Sequence, residues 1–257
     1  KAEIDDFTAD NETGTPQLIT SGGQVPTTSV RPFLGTIADI PLKPGETKKI
    51  TITLKVPAEQ PAGGYYGVLR FKAFPANTAN DTNGQRVSLT ASVGHIILVQ
   101  VPGQITEKLD ALSLRAEYHK NPSNFFIHPP DGMRLEVKNI GNSFIKPFGT
   151  VSVKDGKGKE IYSYEINATD PRGNVLPKST RAFHDNIKNI GKFGHYSAVA
   201  SVTYGNGGDV LGLKTSFWVV PLWVMIVAGA VVLVAAISIA LLVRLWRKHR
   251  RNLHTRH

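Results

Sequence analysis

The chain has no cysteine in its 257 residues. This absence excludes disulfide bonds, thiol nucleophiles and metal sites with cysteine ligands. An exported domain without disulfides must be stabilised by apolar burial, so we expect domains large enough to form a hydrophobic core. The chain also begins without methionine and without a charged, then apolar leader, and we therefore expect a longer natural precursor.

Sequence motifs of enzymes and metal sites are lacking too. There is no nucleophile elbow and no His-Glu-x-x-His pattern. The glycine-rich stretches DGKGK and GNGGD lie between predicted strands, which indicates hairpins rather than phosphate sites. Ser179, His184 and Asp185 are the residue types of a catalytic triad, but their spacing alone indicates nothing, and the segment is typical of an ordinary strand entry. We predict a protein that is not an enzyme and that has no cofactor and no metal.

The acidic residues near the N-terminus raise the question of a calcium site. Asp5, Asp6, Asp10 and Glu12 lack the spaced ligands and the turn glycine of a calcium loop. We expect these side chains to lie in a solvated loop.

The net charge of +10 is unevenly distributed along the chain. Six of the 30 lysines and arginines lie at or after residue 244, and the remaining 24 are nearly balanced by 20 acidic residues. Such a surface does not favour nucleic acid as a partner.

One uncharged apolar run covers residues 217–243. It exceeds the roughly 20 residues that a helix needs to cross a bilayer, so we predict a single transmembrane helix that begins near Pro221 or Leu222. Residues 244–257 form a basic tail that is predicted to be cytoplasmic, which places the preceding domains outside the cell at the membrane surface. The predicted interfacial anchors are Trp218, Trp223, Trp246, Arg244, Arg247, Lys248, Arg250 and Arg251.

The first half of the chain shows strand patterns. Aliphatic and polar residues alternate from Ile50 to Val56, as expected of a half-buried antiparallel strand. YYGVLRFKAF predicts a second strand, and the long apolar RVSLTASVGHIILVQVP predicts a central strand, with a turn at residues 80–84 between them. Short strands are also predicted in KAEIDDF and SVRPFLGTIADI, with a loop across TPQLITSGGQVPTTS.

The second half has strands at intervals of about 8 to 12 residues, which is typical of a β-sandwich. No amphipathic helix is predicted before residue 217, so an α/β fold is excluded. We predict two tandem immunoglobulin-like β-sandwiches, at residues 1–106 and 107–216, followed by the transmembrane helix.

Several motifs resemble the WxL-interacting protein family of Gram-positive bacteria. They are the PLKPGETKKITITLKVPAEQPAGGYYGVLRF block, the VKNIGNSFIKPFGTVSVKDGKGKEI block, GNVLPKSTRAF and GHYSAVASVTYG, followed by one span and a basic tail. The resemblance implies a peptidoglycan-binding first domain, whose N-terminal strands are incomplete here, and a second β-sandwich. The lack of cysteine agrees with such a bacterial surface.

The predicted function is a membrane-anchored cell-surface protein that tethers a cell-wall glycan or a surface protein. Exposed loop aromatics are the candidate ligand contacts, namely Tyr65, Tyr66, Phe125 and Phe126, although they can instead plug the ends of the sandwiches. Two alternatives are an accessory module of a glycan-processing enzyme and a chaperone-like assembly factor that offers a sheet edge. The first alternative requires paired carboxylates, for which Glu136 and Glu165 are candidates.

Overall fold

The computed structural model describes residues 1–19, 25–43, 45–73 and 91–254, with side chains described up to residue 246. This part contains thirteen strands, one 3-10 helix (Arg31–Phe33) and one long helix, α1 (Leu222–His254). The strands are β1 (Ala2–Ala9), β2 (Pro16–Ile19), β3 (Gly63–Lys72), β4 (Ser92–Val101), β5 (Leu109–Tyr118), β6 (Asn121–Ser123), β7 (Phe125–Phe126), β8 (Gly132–Asn139), β9 (Phe148–Lys154), β10 (Glu160–Ile166), β11 (Thr180–Asn186), β12 (Gly194–Tyr204) and β13 (Asp209–Val219). The prediction of a β-rich chain with one C-terminal apolar helix is confirmed.

The first four strands form one antiparallel sheet in the order β2-β1-β3-β4, which we call the N-terminal sheet. Its central strand β3 sends successive side chains to opposite faces. Tyr65 therefore packs on Phe33, with ring centroids 4.9 Å apart, whereas Tyr66 packs on Phe7 at 5.0 Å. Each tyrosine belongs to a separate small apolar cluster, so β3 is covered on both faces.

The predicted strand at residues 50–56 is wrong. These residues are extended, but apart from an isolated bridge between Leu54 and Leu34 they are not part of a sheet. Ile50, Leu54 and Val56 are exposed. The alternating pattern is therefore present, but no neighbouring strand in the described chain pairs with these residues to form a sheet.

Three other predictions for the first half also differ from the structure. The predicted loop contains β2, which pairs with β1, and SVRPFLG contains the 3-10 helix instead of a strand. β4 is at the edge of the sheet and not in its centre, and Val93 and Ile96 are exposed. The predicted turn at residues 80–84 lies outside the described residues.

The remaining strands form two sheets that share one core, and we call them the two-sheet unit. The first sheet has the order β10-β9-β12-β13-β7 and the second has the order β11-β8-β5-β6. Every second residue of β9 and β8 points into the core, including Val151, Val153, Leu135 and Val137, which are fully buried. The predicted succession of strands from β8 to β13 is confirmed, whereas the short strands β6 and β7 lie where a loop was predicted.

The N-terminal sheet is held on the two-sheet unit by hydrogen bonds at Asn142. The N–H of Gly64 donates to the carbonyl oxygen of Asn142 at 2.8 Å, and the Asn142 side chain donates to the carbonyl oxygens of Ala62 and Gln104. Leu176 of the two-sheet unit also belongs to the apolar cluster around Phe7. The predicted boundary between residues 106 and 107 falls between β4 and β5.

Helix α1 follows β13 after only Val220 and Pro221. The predicted span began at residue 217, but Phe217 lies in the buried core of the two-sheet unit. Proline ends the strand because it has no N–H for the sheet and it fits the entry to a helix. The stretch Leu222–Trp246 is long and apolar enough to cross a membrane, and the helix continues into the basic tail.

Candidate binding surfaces and membrane anchor

The four aromatic residues that were predicted to contact a ligand occupy different environments. Tyr65, Tyr66 and Phe126 are 5%, 9% and 6% exposed, because they lie on strands whose faces are covered. Tyr65 also donates its hydroxyl to the carbonyl oxygen of Pro61 at 2.8 Å. Phe125 is different, since 48% of it is exposed. The premise of exposed rings is therefore met by Phe125 and not by the other three.

Ser179, His184 and Asp185 do not form a triad. The Ser179 hydroxyl donates to the carbonyl oxygen of Leu176 at 2.8 Å, and His184 contacts carboxylates on both sides of its ring. Its Nδ1 lies 2.9 Å from Glu117, and its Nε2 lies 3.2 Å from Glu12. Among the residues that the structure describes, no group of histidine and carboxylate side chains has the arrangement of a metal site.

The His184 contacts belong to an ionic cluster that attaches the β1–β2 turn to the second sheet. Arg134 donates to both carboxylate oxygens of Glu12, at 3.1 and 2.8 Å, and to Glu136 at 2.7 Å. Hydrogen bonds from Arg134 hold the pKa of Glu12 below its usual value, and the same pairing raises the pKa of Arg134. The cluster also uses the backbone, since the N–H of Ala182 donates to the Glu12 carbonyl oxygen at 3.0 Å.

Beside this cluster are two buried groups whose polar atoms have no partner in the described part of the chain, the Tyr164 hydroxyl and Oδ2 of Asp185. Burial raises the pKa of each, because water is removed from the charged form. The contacts of the ionic cluster join the β1–β2 turn to the second sheet and are those of a structural joint. The acidic residue Glu12 thus forms ion pairs instead of lying free in a solvated loop.

An open cleft separates two extended segments of the N-terminal half. It has a volume of about 550 Å³ and is lined by residues 35–40 on one side and 48–53 on the other. At one end the N–H of Lys55 donates to the carbonyl oxygen of Phe33 at 2.8 Å. Along the lining residues no backbone hydrogen bond joins the two segments in the described structure.

The side chains along this open cleft combine aliphatic and basic character. Ile50 is exposed beside Lys48 and Lys49, and Ile37 and Ile40 lie across the cleft. An extended partner would find backbone donors and acceptors together with alternating aliphatic contacts. The alternation in residues 50–56 was the sequence signal for this surface, although it predicted an internal strand.

The predicted membrane anchors lie on β13 and on α1. Trp218 is on β13 and half exposed, and Trp223 is exposed in the first turn of α1. Arg244 and Trp246 are exposed near the far end of the apolar stretch. The side chains of Arg247, Lys248, Arg250 and Arg251 lie outside the described residues.

No family model matches the chain, and no curated protein matches it.

Proposed function

We propose that the chain is a single-pass, membrane-anchored cell-surface protein that tethers a cell-wall glycan or a surface protein, without enzymatic activity. The observation that carries the proposal is the direct passage from the β-rich body into one apolar helix with a basic end. Basic residues flanking a span stay on the cytoplasmic side, so the β-rich body lies outside the cell. In this proposal the helix is the anchor and the body is the binding part.

The finer architecture belongs to the same proposal. The two-sheet unit has the strand number and the shared core expected of an immunoglobulin-like sandwich. The N-terminal sheet would be the incomplete half of a second sandwich of the same kind. Membership of the WxL-interacting family rests on the sequence motifs around residues 41–71 and 137–161, and it implies peptidoglycan as one partner.

The open cleft supports a polypeptide as the other partner. A strand that enters the cleft would pair with backbone groups of residues 35–40 and 48–53, which is recognition by strand addition. A glycan platform could use exposed aromatic rings, but of the four candidate aromatics three are buried and Phe125 alone is exposed. A surface protein with an extended, alternating segment is therefore the partner that the open cleft favours.

The test is a pull-down with the full chain in nanodiscs, against isolated peptidoglycan and against surface-protein extract. The double variant Ile50→Asp and Ile52→Asp should lower retention of the surface-protein partner at least about tenfold, the equivalent of about 1.4 kcal/mol. Val210→Asp, at an exposed position of β13 away from the cleft, is the matched control. Binding to neither material would refute the tether, and unchanged binding by the double variant would refute the cleft.

A chaperone-like assembly factor is the second candidate, because it would use the same unpaired segments to hold a subunit strand. It predicts release of the bound strand to a further subunit, whereas a tether keeps its partner. An accessory module of a glycan-processing enzyme has less support. Glu136 is paired with Arg134 and Glu165 with Arg172, so the two carboxylates do not form a pair of their own.

A further inference from the structure

The end of the two-sheet unit next to α1 carries exposed apolar side chains. β7 runs parallel to the end of β13, so that Phe125 pairs with Trp218. The N–H of Val220 donates to the carbonyl oxygen of Phe126 at 2.8 Å, which brings Ile127 close to the start of the helix. Phe193 precedes Gly194, which pairs with Val219. The helix-proximal end thus exposes Phe125, Ile127, Phe193 and Trp218.

The same end collects lysines from separate loops. Lys154, at the end of β9, pairs with Ser197. In the following turn, a Cβ on Gly156 would lie 3.3 Å from the carbonyl oxygen of His195. The His195 ring is 4.7 Å from the Trp218 ring, so the β9–β10 turn lies beside Trp218. The loop after β11 is brought there by the hydrogen bond from Ile187 to Asp131. The lysines of the helix-proximal end are Lys120, Lys154, Lys157, Lys159, Lys188 and Lys192.

Acidic side chains at this end are fewer and already have partners. The Asp155 carboxylate accepts the N–H groups of Lys157 and Lys159, and Asp131 contacts His119 at 3.3 Å. Glu160 at the start of β10 pairs with Ser152. The helix-proximal end is therefore a basic surface with an apolar centre.

The covalent connection fixes how far this surface can be from a bilayer. The apolar stretch of 25 residues is about 37 Å long as a helix, whereas the hydrocarbon core is about 30 Å thick. Either the first turn of α1 then lies among the headgroups, or the helix is tilted in the bilayer. Only Val220 and Pro221 separate it from β13. Trp218 lies at most about 14 Å along the chain from Leu222.

We propose that the helix-proximal end docks on anionic phospholipid headgroups of the leaflet in which α1 is embedded. The lysines would contact the phosphates, and Phe125, Phe193 and Trp218 would enter the interfacial layer where aromatic rings are favoured. The proposal rests on the membrane anchoring proposed above and deepens it. Docking would limit the tilt of the β-rich body, because the body is then held at a surface as well as at one point.

The experiment uses the full chain with Trp223 and Trp246 replaced by phenylalanine, so that Trp218 is the only tryptophan. The chain is placed in nanodiscs of phosphatidylcholine alone or with about one third phosphatidylglycerol. Quenching by aqueous acrylamide and by headgroup-labelled lipid is then measured. With phosphatidylglycerol we expect acrylamide quenching of Trp218 to fall about threefold and lipid quenching to rise, and about 0.5 M salt should reverse both changes.

Two sets of variants separate lipid recognition from mere closeness to the bilayer. Replacing Lys154, Lys157, Lys159 and Lys192 by glutamine should abolish the dependence on phosphatidylglycerol. The matched control replaces Lys108, Lys138 and Lys146, exposed lysines at the opposite end of the two-sheet unit, and should leave the dependence unchanged. Six of the seven positions are exposed and Lys154 is partly exposed, so an unchanged melting temperature is required as evidence that each variant folds.

Each outcome decides a different question. A chain that does not enter nanodiscs refutes the anchor itself. A chain that enters them but whose Trp218 quenching is the same with both lipids, or the same in both lysine variants, refutes the docking and leaves the anchor intact. If acrylamide quenches Trp218 equally strongly in every nanodisc, docking is refuted as well. The basic surface would then be available to a wall polymer or a protein instead.

Discussion

Asn139 offers a quantitative test of what holds the two-sheet unit together. Its side chain is fully buried at the end of β8 and donates to the carbonyl oxygens of Ser143 at 2.7 Å and Val175 at 2.9 Å. Its own carbonyl oxygen accepts the N–H of Gly141 at 2.9 Å. Asn139→Ala removes three hydrogen bonds that each contribute about 1 kcal/mol, and it leaves Gly141 and Ser143 without this partner. We expect the free energy of unfolding to fall by about 3–5 kcal/mol.

The assay is urea unfolding of the full chain in detergent, followed through Trp218 after replacement of the other two tryptophans. Trp218 lies on β13 in the facing sheet, so it reports on the two-sheet unit as a whole. Asn139→Asp has the same shape but no donors, and we expect it to lose as much stability as the alanine variant. Asn121→Ala, at an exposed position, should change stability by less than about 0.5 kcal/mol. A loss below about 1 kcal/mol in Asn139→Ala would contradict the assigned network.

Three further changes test the joint and the sheets. Arg134 lowers the pKa of Glu12, so their ion pair stabilises the fold above about pH 4.5 and is lost as pH falls through the lower folded-state pKa. Glu12→Gln should therefore flatten the decline of the melting temperature between about pH 5 and 3, and an unchanged slope would count against the pairing. Burial raises the pKa of Asp185, which destabilises the fold above its unfolded-state pKa of 3.8, so Asp185→Asn should melt higher at neutral pH than the parent chain. A Cβ on Gly149 would overlap the carbonyl oxygen of Ser201 on β12. Gly149→Ala should therefore lower the free energy of unfolding by about 2–3 kcal/mol, measured by urea unfolding. An unchanged urea midpoint would contradict the close approach of the two strands.

The second half of the chain could be predicted well because its local signals agree with its tertiary pairing. The DGKGK turn joins β9 and β10, and the YGNGGD turn joins β12 and β13, so two hairpins follow directly from the sequence. Alternation within β8 and β9 indicates which side chains enter the shared core. Each of these strands has a partner, and the pattern and the structure therefore coincide.

The first half shows where such reasoning stops. Alternation tells which face of a strand is apolar, but it does not supply a neighbouring strand. Residues 50–56 have the clearest alternation of the chain, yet apart from the bridge at Leu54 they belong to no sheet in the described structure, because hydrogen-bonding partners are a property of the whole fold. The apolar character of β4 likewise predicted a central strand, whereas the sheet order places it at the edge.

The candidate sites were only partly accessible from the sequence for a related reason. Tyr65 and Tyr66 were predicted to be exposed on a loop, but β3 already begins at Gly63, so both tyrosines are core residues. The contact between Glu12 and Arg134 joins residues 122 positions apart, and no local pattern indicates it. The helix, by contrast, depends only on a continuous apolar run and begins where Pro221 predicted it.

The topology has a mechanical consequence for a tether. β13 continues into α1, so a load between the membrane and the β-rich body pulls β13 along its own length. β13 is paired antiparallel with β12 over eleven residue pairs, from Gly194–Val219 to Tyr204–Asp209. Ladder hydrogen bonds lie across the strand direction, so this load shears many of them at once instead of opening them one by one. Resistance to forced unfolding is set by the unfolding rate. We expect the long pairing between β12 and β13 to slow unfolding under such a load, which would suit the proposed tether between a membrane and a partner.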